Sequence, residues 1–507
     1  MSEIEVKLTG SPGDLIEAFG SLRGSRPTHA HLLTTYYDTP DGRLRRKGFA
    51  LRVREKGGAR ELTLKQDHGD GLTRAEWSTP LEGPRGRGER PDPGLLPSQA
   101  PRAALGIEDP AALEPAFLTD FERRTKELRA GGAAVEVALD LGRIVAGERQ
   151  ESLAELEFEL LSGPVDDMLS AVRSVVREHR LSLGTRSKAA RGMDLSRGVS
   201  PSGVKATPAD LAASHTIDEA LARVCRVSSI QALGNLAPIM QAGDPEGVHQ
   251  LRVSLRRLRS ALLFFRDHVG SRAKTLNKNA RRALKRLGPA RDLDVFLIEM
   301  MPPVAAANPA EPGLSRLRVA AEARRSAACE DVHRLIRGPR FNRFLLDLLT
   351  AAESGGLAVT GAAEPLLAVA RHRLALRHGR LMKLAGGFDH LTPAERHRVR
   401  LALKKLRYAC DYSRGLFPGP ATQAYLKRLS GLQDDLGQLN DAAVAQRISS
   451  RIAAEDPDAA AGASLVSAWC VERVRAAEPG LRNTWRQFAE TSPFWLLPPP
   501  DEEPAID

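Results

Sequence analysis

At least five stretches of this chain alternate charged and apolar residues with a period of two, which restricts them to strands of a sheet with one ionic face. Glu3, Glu5 and Lys7 alternate with Ile4 and Val6, so a strand there carries two carboxylates and an ammonium on one side. Leu51 and Val53 alternate with Arg52, Arg54 and Lys56, and Leu62 and Leu64 with Glu61, Thr63 and Lys65. Val135, Val137, Leu139 and Leu141 alternate with Glu136 and Asp140, and Leu156, Phe158 and Leu160 with Glu155, Glu157 and Glu159. Strand propensity disfavours Glu and Lys. A solvated face explains any single strand, but the whole set favours a closed barrel with a charged lumen.

Such a lumen is costly when empty. Like charges ~4 Å apart repel by ~4 kcal/mol at an effective dielectric of ~20, and buried cations or clustered carboxylates need counter-charge. The pattern therefore implies a bound polyanion and a bound cation. Hard divalent ions such as Mg²⁺ or Mn²⁺ take carboxylate oxygens, which Glu3, Glu5, Asp140, Glu155, Glu157 and Glu159 supply from separate strands. Guanidinium and ammonium groups match phosphate oxygens; the candidates are Lys7, Arg52, Arg54, Lys65, Arg74, Arg123, Arg124 and Lys188. The pattern around Arg123 and Arg124 leaves open which faces inward. No Walker-type glycine loop accompanies these residues.

Charge also divides the chain. Residues 1–207 hold 31 Lys+Arg and 31 Asp+Glu, whereas residues 208–490 hold 43 against 28. The basicity belongs to the second half, where a polyanionic partner is expected. Cys225, Cys329, Cys410 and Cys470 stand far apart, which fits a reducing cytoplasm rather than a disulfide framework or a zinc site. No apolar run approaches ~18 residues, and no basic-then-apolar leader opens the chain.

The organisation read from the sequence is a strand-rich domain over 1–198, a polar linker over 199–207, a helical domain over 208–494 and a Pro-rich acidic tail over 495–507. The helical half repeats itself. His249, Arg252, Arg256, Arg257 and Arg259 recur 148 positions later as His397, Arg400, Lys404, Lys405 and Arg407. The run Leu287–Val295 recurs as Leu436–Val444 at an offset of 149. Two pseudo-symmetric helical bundles are expected. On a helix, His249, Arg252, Arg256 and Arg259 fall within an arc of about 80°, with Leu251, Leu255, Leu258 and Leu262 in another sector. Duplication of this basic stripe points to a groove for a linear polyanion. Tyr and Phe are sparse beside the stripes, so base-specific nucleic-acid binding is not expected.

The first half resembles the CYTH superfamily, the triphosphate tunnel metalloenzymes. The resemblance rests on Glu3-x-Glu5-x-Lys7, Tyr36-Tyr37-Asp38-Thr39-Pro40, Leu51-Arg52-Val53-Arg54, Leu62-Thr63-Leu64-Lys65, Arg74-Ala75-Glu76-Trp77, Glu136 to Asp140, Glu155-Leu156-Glu157 and Ser187-Lys188 with Arg191-Gly192. It implies an eight-stranded antiparallel β-tunnel holding a triphosphate and one or two Mg²⁺ or Mn²⁺ ions. It further implies a metal side of Glu3, Glu5, Asp140, Glu155 and Glu157, and phosphate ligands Lys7, Arg52, Arg54, Lys65, Arg74, Arg123 and Lys188. Catalysis is then assigned to Glu3, Glu5, Lys7 and Lys65. Residues 208–494 resemble the CHAD domain, associated with inorganic polyphosphate. The matching pieces are the two His-x-x-Arg-x-x-x-basic-basic-x-Arg stripes, Arg291-Asp292-x-Asp294-Val295 and Leu432-Gln433-Asp434 through Asn440-Asp441.

The expected protein is an α+β multidomain chain of a CYTH tunnel and an all-α CHAD domain. Its expected activity is hydrolysis of tripolyphosphate to pyrophosphate and phosphate, coupled to polyphosphate binding, in the cytoplasm beside polyphosphate granules. An adenylate cyclase of the same superfamily, or a non-catalytic polyphosphate-binding protein with a degenerate tunnel, are the alternatives.

Overall fold

The computed structural model describes residues 2–67, 73–83, 90–97, 105–107, 109–359 and 364–496, without the side chains of Ser2, Glu3, Asp67, Thr73 and Arg74. The chain divides into two compact units. The first comprises residues 1–205 with 229–251 and 335–354, and the second comprises 206–228, 252–334 and 355–507. The first thus takes in two helical segments from the second half of the sequence.

Nine strands organise the first unit: β1 (Ser2–Thr9), β2 (Thr28–Asp38), β3 (Phe49–Lys56), β4 (Ala59–Asp67), β5 (Thr73–Leu81), β6 (Glu114–Ala130), β7 (Ala133–Ala146), β8 (Arg149–Ser162) and β9 (Ser182–Gly184). Their order is β5-β4-β3-β2-β6-β7-β8-β1-β9, and β1 also pairs with β5. Eight strands therefore close a ring, with the short β9 added beside β1. Every pairing is antiparallel. Closure leaves no exposed edge in the ring.

The alternation read in the sequence decides which face turns outward. Leu51, Val53, Leu62 and Leu64 are buried with Tyr37, Leu44, Leu96, Leu105 and Leu113, beneath the connection that follows β5. Helices α1 (Pro12–Ser21) and α3 (Val165–Glu178) cover β7 and β8, where Val135, Val137, Leu139, Leu156 and Phe158 are buried. A single turn, α2 (Arg43–Arg46), precedes β3.

Helix α4 (Lys188–Arg197) starts at the Ser187 cap, whose hydroxyl accepts from the Ala190 N–H at 3.1 Å. It closes part of the ring interior: Met193 and Ala189 pack with Tyr36, Phe117, Phe121, Ile144 and Leu153. Gly192 lets the helix approach, because a Cβ there would lie 2.1 Å from the Phe117 ring. Lys188, at the first turn, is thereby held against the tunnel.

The remaining helices are α5 (Ile217–Gly234), α6 (Leu236–Ala242), α7 (Pro245–Phe264), α8 (Ser271–Val295), α9 (Met301–Ala307), α10 (Pro312–Ile336), α11 (Pro339–Ser354), α12 (Leu366–Leu384), α13 (Pro393–Ser413), α14 (Pro420–Glu455) and α15 (Ala460–Ala489). The sequence repeat falls on corresponding helices, α7 with α13 and α8 with α14. The copies differ at their ends. α8 runs into a π-helical turn at Phe296–Met300, whereas α14, 36 residues in all, stays helical to Glu455. Within the second unit, Leu293, Phe296, Met300, Leu314, Ala442, Ile452 and Val466 share one core. No helix among the described residues is long and apolar enough to cross a membrane. Of the acidic tail, residues 497–507 lie outside the described residues.

Candidate active site

The ring encloses a cavity of about 450 Å³ whose walls include Glu5, Lys7, Tyr36, Arg52, Arg54 and Lys65. On one wall, antiparallel register sets carboxylates directly opposite one another: Asp140 faces Glu155, and Glu159 faces both Glu5 and Glu136. Such pairs destabilise a sheet unless something neutralises them. Asp140, Glu155 and Glu157 bring ligand oxygens within 4.8 Å of one another, and all three are buried.

Three cations stand among them. The Lys188 ammonium donates to Asp140 at 2.6 Å, to Glu157 at 2.8 Å and to Glu155. The Arg123 guanidinium spans Asp140 at 2.7 and 2.6 Å and Glu157 at 2.6 Å. Lys7 is ion-paired with Glu5 and Glu157 and lies 3.5 Å from Glu155. Burial opposes the charge of Glu157, but Lys188, Lys7 and Arg123 outweigh it and hold the carboxyl well below its usual value. Burial likewise opposes Lys188, and its three carboxylates outweigh that and raise its pKa.

Because Glu157 ionises at lower pH in the folded chain, its stabilising contribution is complete above about pH 4.5 and is lost as pH falls through its folded value. Glu157→Gln is expected to destabilise the domain by ~3 kcal/mol at neutral pH by stranding buried cations. It should also flatten the acid dependence of the urea midpoint. An unchanged acid profile would refute this role.

The wall built by β3 and β4 is different. Arg52 lies 3.4 Å from the Tyr36 hydroxyl and 3.6 Å from Glu76, which also pairs with Lys65 at 2.8 Å. Arg54 has no carboxylate within 4.0 Å among the described residues, and its Nε is buried without a partner. The neighbouring Arg52 charge, with burial, pushes Arg54 down to about 10. Burial opposes ionisation of Tyr36, yet Arg52, Arg54 and Lys188 outweigh it and lower its pKa. At Arg54 this wall carries positive charge with no carboxylate in ion-pair distance among the described residues, facing a wall rich in carboxylates.

A second basic centre lies in the helical unit. Arg256 of α7 lies close enough to oppose protonation of Arg252 on its own helix and of Arg400 and Lys404 on α13. Burial, then Arg256, pushes Arg252 down to about 10. Burial, then Arg400 and Arg256, pushes Lys404 down to about 7 against the opposing pull of Asp441. Arg252 donates to the Leu284 carbonyl at 3.2 Å and Arg400 to Asn440 at 2.8 Å.

The CYTH domain family matches residues 1–193, and the CHAD domain family matches residues 227–449. The chain is a CYTH–CHAD protein. Over 202 residues it is 34% identical to an inorganic triphosphatase of Haemophilus influenzae, a match covering 38% of this chain and 54% of that protein. It thus spans about half the length of that curated relative. Among solved structures, the CHAD domain of the plant Ricinus communis is 29% identical with a TM-score of 0.47, covering 56% of this chain and 96% of that one. PptA from Streptomyces chartreusis is 19% identical with a TM-score of 0.44, covering 54% and 100%.

In the CYTH domain, Glu5, Lys7, Arg52, Arg54, Lys65, Arg123, Glu157, Glu159 and Lys188 all line the tunnel cavity. Arg123 is the inward residue of its pair: it reaches Asp140, while Arg124 points to the other face of β6. Glu5 falls outside the three-carboxylate group and is ion-paired on its own strand with Lys7. Glu3 is in register with Arg74 across β1 and β5, and both side chains lie outside the described residues. Sequence reasoning did not select Tyr36, Arg45, Glu76 or Arg191 as site residues. Tyr36, Arg45 and Glu76 line the cavity. Arg191 donates to Glu151 at 2.9 Å and Glu155 at 3.2 Å. Its signal was present, since it stands one helical turn beyond Lys188.

In the CHAD domain the expected stripe is split. Arg252 and Arg256 meet Arg400 and Lys404. Arg259 instead donates to Asn277 at 3.0 Å, and Lys405 lies near Arg380, Arg377 and Arg259. Arg257, about 100° around the helix from Arg256, turns to Asp411 at 3.5 Å. His397 is exposed and Arg407 half-buried, while His249 belongs to the first compact unit. An arc of 80° on one helix was wide enough to serve two neighbourhoods.

Proposed function

We propose that the CYTH domain hydrolyses inorganic tripolyphosphate to pyrophosphate and phosphate with Mg²⁺ or Mn²⁺, and that the CHAD domain binds inorganic polyphosphate. The observation carrying the first part is the buried Asp140, Glu155 and Glu157 group, which reaches the cavity of about 450 Å³ at Glu157, with Arg52 and the carboxylate-free Arg54 lining the same cavity. The sequence likeness to an inorganic triphosphatase supports the same reading.

The donor set fits a hard divalent ion: three buried carboxylates with oxygens within 4.8 Å of one another. When bound there, such an ion supplies charge neutralisation at phosphoryl oxygens and a more acidic water. The rest falls to this chain's own residues. Arg52, Arg54 and Lys65 bind the phosphates, Lys7, Arg123 and Lys188 neutralise the carboxylates or turn to the anion, and Glu5, on the cavity wall, positions Lys7. Phosphoryl transfer needs positioning and electrostatic stabilisation more than covalent work by the protein. The polyphosphate reading rests on the Arg252, Arg256, Arg400 and Lys404 cluster, and its expected setting is the cytoplasm beside polyphosphate granules.

The test is phosphate release from tripolyphosphate. Turnover is expected to vanish with a chelator, to return with Mg²⁺ or Mn²⁺, and to fall at least ~100-fold in Glu5→Ala. Equal rates for Glu5→Ala and the wild type would sink the mechanism. Cyclic AMP formed from ATP would make the domain a cyclase, and binding without turnover would make it a receptor.

A further inference from the structure

The cations left out of the central Arg252, Arg256, Arg400 and Lys404 cluster gather elsewhere on the same helices. Lys405 lies beside Arg380, Arg377 and Arg259, and Arg259 lies beside Arg281. Helices α7, α8, α12 and α13 thus bring five cations together. Arg377 is fixed between α7 and α13, donating to the Ser260 carbonyl at 3.0 Å and the Lys405 carbonyl at 2.6 Å. Arg259 is held by Asn277 at 3.0 Å. These acceptors are neutral, and none of the five cations is ion-paired with a carboxylate among the described residues. Other arginines of this unit are matched: Arg286 by Asp331 at 2.7 Å, Arg325 by Asp294 at 2.6 Å and Arg396 by Glu478 at 2.6 Å.

Helix α8 joins the two basic groups. Arg252 meets it at the Leu284 carbonyl and Arg259 meets it at Asn277, seven residues earlier, which is about 10 Å along the axis. Arg281 stands between them. Residues 271–291 hold eight Lys+Arg and no Asp or Glu, whereas residues 420–440, 149 positions later, hold two Lys+Arg and two Asp+Glu. The repeat is broken at the group itself. At the spacings of 148 and 149, Arg259, Arg281, Arg377, Arg380 and Lys405 correspond to Arg407, Ser430, Ser229, Ala232 and Arg257. Of those, Arg257 is answered by Asp411 at 3.5 Å. The pseudo-symmetric counterpart therefore lacks the charge that this side carries.

We infer that polyphosphate engages the CHAD domain at two stations, the central cluster and the one-sided group around Lys405, and that only a chain long enough to follow α8 for about 10 Å gains the second. The inference rests on the polyphosphate reading and adds to it a chain-length preference. Like charges without relief repel, and guanidinium and ammonium groups suit phosphate oxygens, so a linear polyanion neutralises both stations where a compact anion covers one.

The test titrates the full chain in an Arg54→Ala background, which weakens the tunnel's hold on phosphate, with a chelator to stop turnover. The ligands are long-chain polyphosphate and tripolyphosphate. Arg380→Ala with Lys405→Ala, both at exposed positions, should weaken the long chain at least ~10-fold and lower the magnitude of its salt slope by ~2. Tripolyphosphate should change by less than ~2-fold, since it reaches one station at a time. Arg316→Ala with Arg318→Ala removes the same charge from exposed positions of α10, and should leave long-chain affinity within ~2-fold. Unchanged long-chain affinity in the Arg380 and Lys405 variant, an equal loss for tripolyphosphate, or an equal loss in the α10 variant would overturn the second station. Failure of the parent chain to bind long-chain polyphosphate at all would instead bring down the polyphosphate reading, and this inference with it.

Discussion

Arg54→Ala is expected to lower kcat/KM for tripolyphosphate by ~10²–10³-fold while leaving the melting temperature of the anion-free protein unchanged or higher. The opposite signs follow from what surrounds the guanidinium. Arg54 is pressed by Arg52, and no carboxylate stands within ion-pair distance among the described residues. The fold lowers its pKa from the ordinary guanidinium range to about 10, so folding works against its charge. Removing it relieves that repulsion in the empty tunnel and removes a phosphate ligand from the filled one. Lys188→Ala behaves differently. Lys188 neutralises Asp140, Glu155 and Glu157, so its loss lowers both activity and stability. Thermal melts with and without tripolyphosphate separate the two cases. Anion should stabilise the wild type more than Arg54→Ala, because only the wild type keeps the full set of ligands. A marked loss of stability in anion-free Arg54→Ala would show that the residue serves the fold rather than the ligand.

The barrel was legible because a period of two leaves no alternative partition of faces. Once Leu51, Val53, Leu62 and Leu64 are assigned to a core, Arg52, Arg54 and Lys65 must point the other way. Less legible were features set by packing between distant segments. Arg123 and Arg124 sit in the same polar run, and only the β6–β7 register, with Arg123 opposite Asp140, separates them. Helix α4 could be expected, but its seat inside the ring depends on Gly192 meeting Phe117, a contact between residues 75 positions apart. The split of the basic stripe has a similar origin. Helical periodicity places Arg252, Arg256 and Arg259 on one side of α7, but cannot say that Asn277 waits for one while Lys404 faces the others.

Polyphosphate binding to the CHAD domain is expected to be steep in salt and to take up a proton. Linear polyanions release condensed counterions when cations engage them, so log affinity falls linearly with log salt concentration. Arg252→Ala with Arg400→Ala should lower the magnitude of that slope by ~2, about one per phosphate contact removed, and weaken binding at physiological salt. Lys404 adds the pH term. In the free protein it titrates at about 7, because burial, Arg400, Arg256 and Arg252 outweigh Asp441. Unfolding restores a value of 10.5, so between those limits the unfolded chain holds more protons there and the free domain gains stability as pH rises. Binding reverses the local balance, since an added polyanion favours the charged ammonium. Affinity should therefore fall by up to ~10-fold per pH unit above pH 7, the limit for one linked proton. Lys404→Arg, charged throughout that range, should bind with a flat profile. A wild-type affinity that does not change between pH 6.5 and 9, or an equal slope in Lys404→Arg, would place the polyanion elsewhere on the domain.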